Sequence, residues 1–187
     1  NILRDNFILP LSLVDLFKEK KINFTFFLSS EINKIENPDK NNIYALSKFF
    51  LEDSLKFVVI KNKISLIKID NIYGPYDLNF NRLIPSLMLK LLLKKKIKIN
   101  LNQRKSLIYV KNLLPIILRT LKNKKTINMV NVKGEKIDIL KLWKIINRMS
   151  VDKSKKNKND INRNFAETLD WYKNNTSVLK TNAKKYY

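Results

Sequence analysis

Apolar positions along the chain follow two rhythms, and each rhythm predicts an element. Phe7 to Lys20 repeats on the 3.6-residue period of an amphipathic helix, with Pro10 in its first turns, where a missing N–H costs little. Phe24 to Leu28 (FTFFL) is short and almost wholly apolar, the pattern of a strand buried on both faces. Glu31 to Asn42 is polar, contains Pro38 and reads as a loop. Tyr44 to Ile60 reads as a long helix with wide apolar coverage, and Ile64 to Ile69 as a second buried strand, closed by the turn Tyr73-Gly74-Pro75-Tyr76. A helix over Leu83 to Lys94, short strands near Lys96 to Leu101 and Leu107 to Val110, and a helix over Leu113 to Leu121 come next. Ile127 to Val132 is a strand that ends in a turn at Gly134, and Asp138 stands where it can cap a helix over Ile139 to Met149. Val151 to Asn164 (VDKSKKNKNDINRN) is of low complexity and reads as a mobile loop. Phe165 to Lys173 is a last helix, and the tail from Lys180 reads as frayed. Strands alternating with helices predict α/β architecture with a mainly parallel sheet.

Composition narrows the chemistry. The 187 residues are 44% hydrophobic, enough for a core. Cysteine and histidine are both absent, which excludes disulfides, most zinc sites, Ser-His-Asp triads and Cys-His dyads. Acid/base work falls to Tyr, Lys, Asp, Glu or Ser, and no metal site is expected. The net charge of +22 first suggests a nucleic-acid partner. Only six of the 38 cationic residues are arginine, however, and the lysines are spread along the whole chain. Arginine is the residue that reads phosphates and bases bidentately, so abundant Lys, Asn and Ile point to a compositional bias. The longest apolar run near a helix, Leu83 to Leu93, is broken by Lys90 and is shorter than the roughly 20 residues of a membrane span. No membrane segment and a cytoplasmic location are expected. The chain begins at Asn1 rather than Met, which suggests a fragment.

The chemistry-bearing motif is Tyr44-Ala45-Leu46-Ser47-Lys48, a Tyr and a Lys four apart on one face of a helix. An ammonium beside a phenol favours the phenolate, and such a Tyr can exchange a proton with a substrate hydroxyl. With seven Tyr in so lysine-rich a chain, the spacing also arises by chance, and a helix with a solvated Lys is the plainer reading of the motif alone. Context adds weight. The strand Phe24 to Leu28 runs into Ser29-Ser30-Glu31, and in a parallel sheet ligands bind at the carboxyl ends of strands. Ser29 is placed to hydrogen-bond a reacting hydroxyl and Glu31 to act as a second acid or base; a strand-ending turn is the plainer alternative. The two glycines, Gly74 and Gly134, belong to no phosphate-cradling loop.

These blocks, in this order, resemble the extended short-chain dehydrogenase/reductase family, the NAD-dependent epimerases and dehydratases of nucleotide sugars. NFILPLSLVD (6–15), FFLSSE (26–31), YALSKFFLE (44–52), KIDNIYGP (68–75), RLIP (82–85), RKSLIYV (104–110) and ETLDWY (167–172) carry the likeness, which spans roughly residues 6 to 175. It implies the C-terminal part of a Rossmann-like doubly wound parallel sheet plus a small mixed substrate-binding subdomain. Residues 1–76 would be the C-terminal half of the NAD-binding domain with the catalytic residues. Residues 77–187 would bind the nucleotide sugar. The resemblance implies that Ser29 orients the substrate hydroxyl, Tyr44 is the acid/base, and Lys48 tunes Tyr44 and holds the nicotinamide ribose. Glu31 would serve as a further acid or base. Asn71, Arg82 and Lys105 would contact the sugar nucleotide, although Asn71 also reads as a turn cap and Arg82 as a solvated helix start. NAD or NADP is the implied cofactor, and a homodimer through helices 7–20 and 44–60 the implied assembly. Departures are Asn33-Lys34 for the usual Tyr-Gly, Lys105 for Arg, Lys111 and Asn112 for Asp residues, a short 29–44 loop, and no opening strands with their glycine-rich turn. The chain alone is therefore expected to bind NAD no better than about millimolar. A non-catalytic relic, a subunit completed by another chain, and a basic nucleic-acid-binding module are the alternatives.

Overall fold

The computed structural model describes residues 1–34, 42–58, 63–95, 102–123, 125–151 and 160–183. The chain divides into two compact units, Asn1–Asn71 with Asn112–Gly134, and Ile72–Lys111 with Glu135–Tyr187.

The first unit is built on three parallel strands, β1 (Phe24–Ser29), β2 (Ile64–Ile69) and β5 (Ile127–Val132), in the order β1-β2-β5. Phe24 pairs with Ile64 and Ile64 with Ile127, so the three strands end together at Ser29, Ile69 and Val132. The predicted mainly parallel sheet is met here: β1 and β2 are parallel neighbours, as are β2 and β5. Alternation sends Phe24, Phe26, Leu28, Ile64 and Leu66 to one face. There they pack on Val14 of α1 (Leu9–Leu16) and on Leu51 and Leu55 of α2 (Ile43–Phe57). The central strand β2 is buried at every position but Lys68. The expectation that 24–28 is buried on both faces needs correction. β1 is one of the two outer strands, and Phe27, on the other face, is 48% exposed. An all-apolar run does not by itself reveal whether both faces are covered.

Helix boundaries follow capping and periodicity. The predicted first helix is a π-type turn at Arg4–Ile8 running into α1, which stops at Leu16 rather than Lys20. α2 starts where the Asn42 side chain accepts the Ala45 N–H at 3.0 Å, satisfying one of the free donors of the first turn. It ends at Phe57, and residues 59–60 of the predicted helix lie outside the described residues, as do most of the 31–42 loop and the predicted 96–101 strand. α4 (Leu113–Leu121) follows the 3-10 turn at Val110–Asn112 and leads into β5.

The second unit holds a mixed sheet of β3 (Asn71–Tyr73), β4 (Arg104–Tyr109) and β6 (Glu135–Asp138), with β4 antiparallel to β6. Its core joins Tyr73, Leu107 and Ile137 to apolar residues of α3 (Leu83–Leu92), α5 (Ile139–Val151) and α6 (Asp160–Asn174). Tyr73 stacks on Phe165 with ring centres 4.5 Å apart, and the Tyr172 hydroxyl donates to the Asp77 carbonyl. Gly74 has its place because a Cβ there would lie 2.5 Å from Cγ1 of Val110.

The expected mobile loop at 151–164 is corrected at its end: residues 160–164 are the first turns of α6, and 152–159 lie outside the described residues. Polar composition hid a helix start whose apolar positions, Ile161, Phe165 and Leu169, face the core. The tail expected to be frayed from Lys180 is helical to Ala183 in α7 (Thr176–Ala183). Among the described residues no helix is long and apolar enough to cross a membrane.

Candidate active site

Tyr44 and Lys48 lie one turn apart on α2, and Glu52 continues the same stripe one turn further on. The stripe runs from open to closed: Tyr44 is 40% exposed, Lys48 half-buried and Glu52 buried. The Lys48 ammonium donates to the Phe27 carbonyl of β1 at 3.1 Å and sits 6.0 Å from the centre of the Tyr44 ring. Burial lowers the pKa of Lys48 from the ordinary lysine value. Ser47, buried between them on the helix, returns its hydroxyl to the Tyr44 carbonyl at 2.8 Å.

Ser29 closes β1, two residues after the carbonyl that Lys48 holds. Its Oγ accepts the Glu31 N–H at 3.2 Å, which fastens the turn of 3-10 helix at Ser30–Lys34 to the end of the strand. A serine hydroxyl that accepts in this way still has its own proton to donate. Ser29, Glu31, Tyr44 and Lys48 thus belong to the first unit, with Ser29 and Glu31 at the carboxyl end of its parallel sheet.

The remaining candidates are placed separately. Asn71 is exposed and opens β3, just past the end of β2. Asp70 between them accepts the Gly134 N–H at 2.9 Å, joining the ends of β2 and β5. Arg82, in the second unit, precedes α3 and reaches Asp77 at 3.4 Å. Lys105 is half-buried on β4 opposite Ile137. Lys111, where the family resemblance leads one to expect Asp, forms an ion pair with Glu167 of α6, and the Lys111 ammonium holds the Glu167 carboxyl below its ordinary range.

The sequence reading missed the Glu52–Lys68 pair. Lys68 Nζ lies 2.8 Å from one carboxylate oxygen of Glu52 and 3.0 Å from the other, and both side chains are about nine-tenths buried. The signal was present: a Glu on the buried side of α2, four residues beyond Lys48, and a lone charged residue, Lys68, in the strand ISLIKI.

A parallel three-stranded sheet, a second mixed sheet and a Tyr-x-x-x-Lys helix beside the first define the class of Rossmann-like α/β proteins. The sequence profile of the NAD dependent epimerase/dehydratase family matches residues 1–132, and the chain belongs to that family. No curated protein matches the sequence. Among solved structures it is similar to a UDP-N-acetylglucosamine 4-epimerase from Methanobrevibacter ruminantium in complex with UDP-N-acetylmuramic acid (20% identity, TM-score 0.75, 91% of this chain and 69% of that one). It is also similar to a dTDP-glucose 4,6-dehydratase from Bacillus anthracis in complex with NAD (16% identity, TM-score 0.76, 96% and 71%). A third is the Bordetella bronchiseptica enzyme WbmF in complex with NAD+ and UDP (17% identity, TM-score 0.78, 97% and 68%). At these identities the likeness is one of fold.

Proposed function

We propose that the protein is an NAD(P)-dependent enzyme of nucleotide-sugar conversion, an epimerase, dehydratase or reductase that works by proton and hydride transfer at the sugar C4. One observation carries this reading: α2 presents Tyr44 with the Lys48 ammonium beside it, and Lys48 is anchored on the strand that ends in Ser29. Bound NAD(P) supplies a hydride acceptor and donor. Tyr44 takes the proton of the sugar hydroxyl as the carbon beneath it is oxidised, and returns it when the carbonyl is reduced. Lys48 offsets the negative charge that builds on the Tyr44 oxygen during that transfer. Ser29 donates its hydroxyl proton to the same substrate oxygen, and Glu31 serves as a further acid or base where the reaction needs one.

The residues fit the nicotinamide-ribose end of the cofactor. Lys48 offers an ammonium and Tyr44 an exposed ring. Neither Gly74 nor Gly134 forms the glycine-rich turn that holds a pyrophosphate. Asn71, Arg82 and Lys105 take the sugar-nucleotide contacts, and the division into a cofactor part (1–76) and a sugar-nucleotide part (77–187) goes with these roles. Exposed apolar residues on α1 and α2, among them Leu9, Leu13, Leu16, Phe50 and Phe57, support pairing with a second copy. A charge of +22 with few arginines leaves nucleic-acid binding the weaker reading.

The test is Tyr44→Phe in the full-length protein, assayed on a panel of UDP-, dTDP- and CDP-hexoses. Turnover should fall by at least about a hundredfold, the usual worth of a general acid/base, with NAD binding by calorimetry nearly unchanged. Full activity in Tyr44→Phe would overturn the assignment.

A further inference from the structure

A lysine four residues before a glutamate on a helix attracts it, because the two side chains meet on one face. Lys48 and Glu52 have that spacing, yet neither is bonded to the other. Glu52 is held by Lys68 of β2 at 2.8 and 3.0 Å, and Lys48 reaches the Phe27 carbonyl of β1 at 3.1 Å. Two polar clips on one stripe of α2 therefore go to two different strands, and Tyr44 stands at the open end of that stripe. An apolar pair in place of Glu52 and Lys68 would hold α2 on the sheet equally well, since buried ion pairs are weak sources of net stability. What the charged pair adds is direction and charge cancellation.

We propose that Lys68 is a positioning residue: by engaging the Glu52 carboxylate it keeps that charge from drawing Lys48 off the Phe27 carbonyl, and so keeps the Lys48 ammonium beside Tyr44. The proposal rests on the reading of Tyr44 and Lys48 as the working pair. The surroundings of Lys48 leave Glu52 as the charge that matters. On α2 its stripe neighbours are Tyr44 and Glu52. β1 (FTFFLS) brings no titratable side chain, β2 brings Lys68, and the 3-10 turn brings Glu31 and Lys34. In the N-terminal helical segment Arg4 pairs with Asp5, and Asp15 with Lys18. Burial lowers the pKa of Lys48, as expected of an ammonium that no carboxylate supports.

The experiment reads Lys48 itself and needs no turnover. The full-length protein is trace-labelled with acetic anhydride across a pH series, and acetylation of Lys48 is measured by peptide mass spectrometry. Each sample is normalised to Lys141, an exposed lysine of the second unit. Lys68→Met leaves the Glu52 charge uncompensated and should slow Lys48 labelling about tenfold, one pKa unit of free amine. Glu52→Gln leaves Lys68 uncompensated and should speed it several-fold. The double variant Glu52→Gln/Lys68→Met, and Lys68→Arg, should label like the parent. A role limited to packing would move both single variants the same way or neither. A change of less than about twofold in Lys68→Met, or singles that shift together, overturns the proposal. Where circular dichroism shows Lys68→Met unfolded, Glu52→Gln and the double variant decide: a gain in the first that the second does not reverse also overturns it. A positive result beside a fully active Tyr44→Phe would retire the catalytic reading and leave the electrostatic one standing.

Discussion

Raising the pH should unfold the second unit through its buried phenols. Tyr73, Tyr109 and Tyr172 are each less than a twentieth exposed in its core. Burial pushes all three phenols well above the ordinary tyrosine value of 10.0, and neighbouring carboxylates (Glu135 by Tyr73, Glu167 by Tyr109, Asp77 by Tyr172) push the same way. A group whose folded pKa is raised contributes stability that is intact below the unfolded pKa and lost as pH rises beyond it. The window therefore opens at about pH 10. At about pH 12, two units above the unfolded value, each phenol that must stay neutral in the fold but ionises in the unfolded chain costs about 2.7 kcal/mol. Three together cost about 8 kcal/mol, comparable with the roughly 5–15 kcal/mol that holds a typical domain together. Over the same window lysines in general discharge as well: the +22 excess falls through zero toward about −10, since 6 Arg then face 16 Asp and Glu (6 − 16), and ion pairs made by lysines weaken. Loss of structure in step with the tyrosinate band, rather than loss of structure alone, is therefore the sign of the phenols. Far-UV circular dichroism and the near-UV tyrosinate band, followed together, should show a cooperative step in both. Ionisation of all seven tyrosines with the dichroism intact would refute the reasoning.

Two further outcomes concern local packing and helix capping. Gly74→Ala places a Cβ 2.5 Å from Val110 Cγ1, an overpacking contact with a stiff side chain, and should cost about 1–3 kcal/mol by denaturant unfolding, partly restored by adding Val110→Ala. Asn42→Ala removes the cap of the helix that carries Tyr44 and Lys48 and should cost about 1 kcal/mol, while Asn42→Asp, which keeps an acceptor for the Ala45 N–H, should cost little; urea midpoints of the two variants check the difference.

What the sequence determined by itself is what short-range periodicity encodes. The bounds of β2, β5 and α4 were legible to the residue, because an apolar run bracketed by polar or turn residues leaves few alternatives. The spacing of Tyr44 and Lys48 on one helix stripe is equally local, and so is the alternation of strands and helices that announces an α/β fold. The start of α6 was not legible, since its first turns are polar and only Ile161 and Phe165 tie them to the core. Tertiary structure alone decided which partner these polar side chains would take. Lys48 went to a β1 carbonyl, Glu52 to Lys68 sixteen residues away, Lys111 to Glu167, and the Tyr172 hydroxyl to the Asp77 carbonyl ninety-five residues back. It alone put β1 at the outside of the sheet with Phe27 half uncovered, and made β5 the third strand beside β2. The reason is physical: local patterning fixes which face of an element is apolar, but the energy of a desolvated charge or hydroxyl depends on what the folded chain brings within about 3 Å of it.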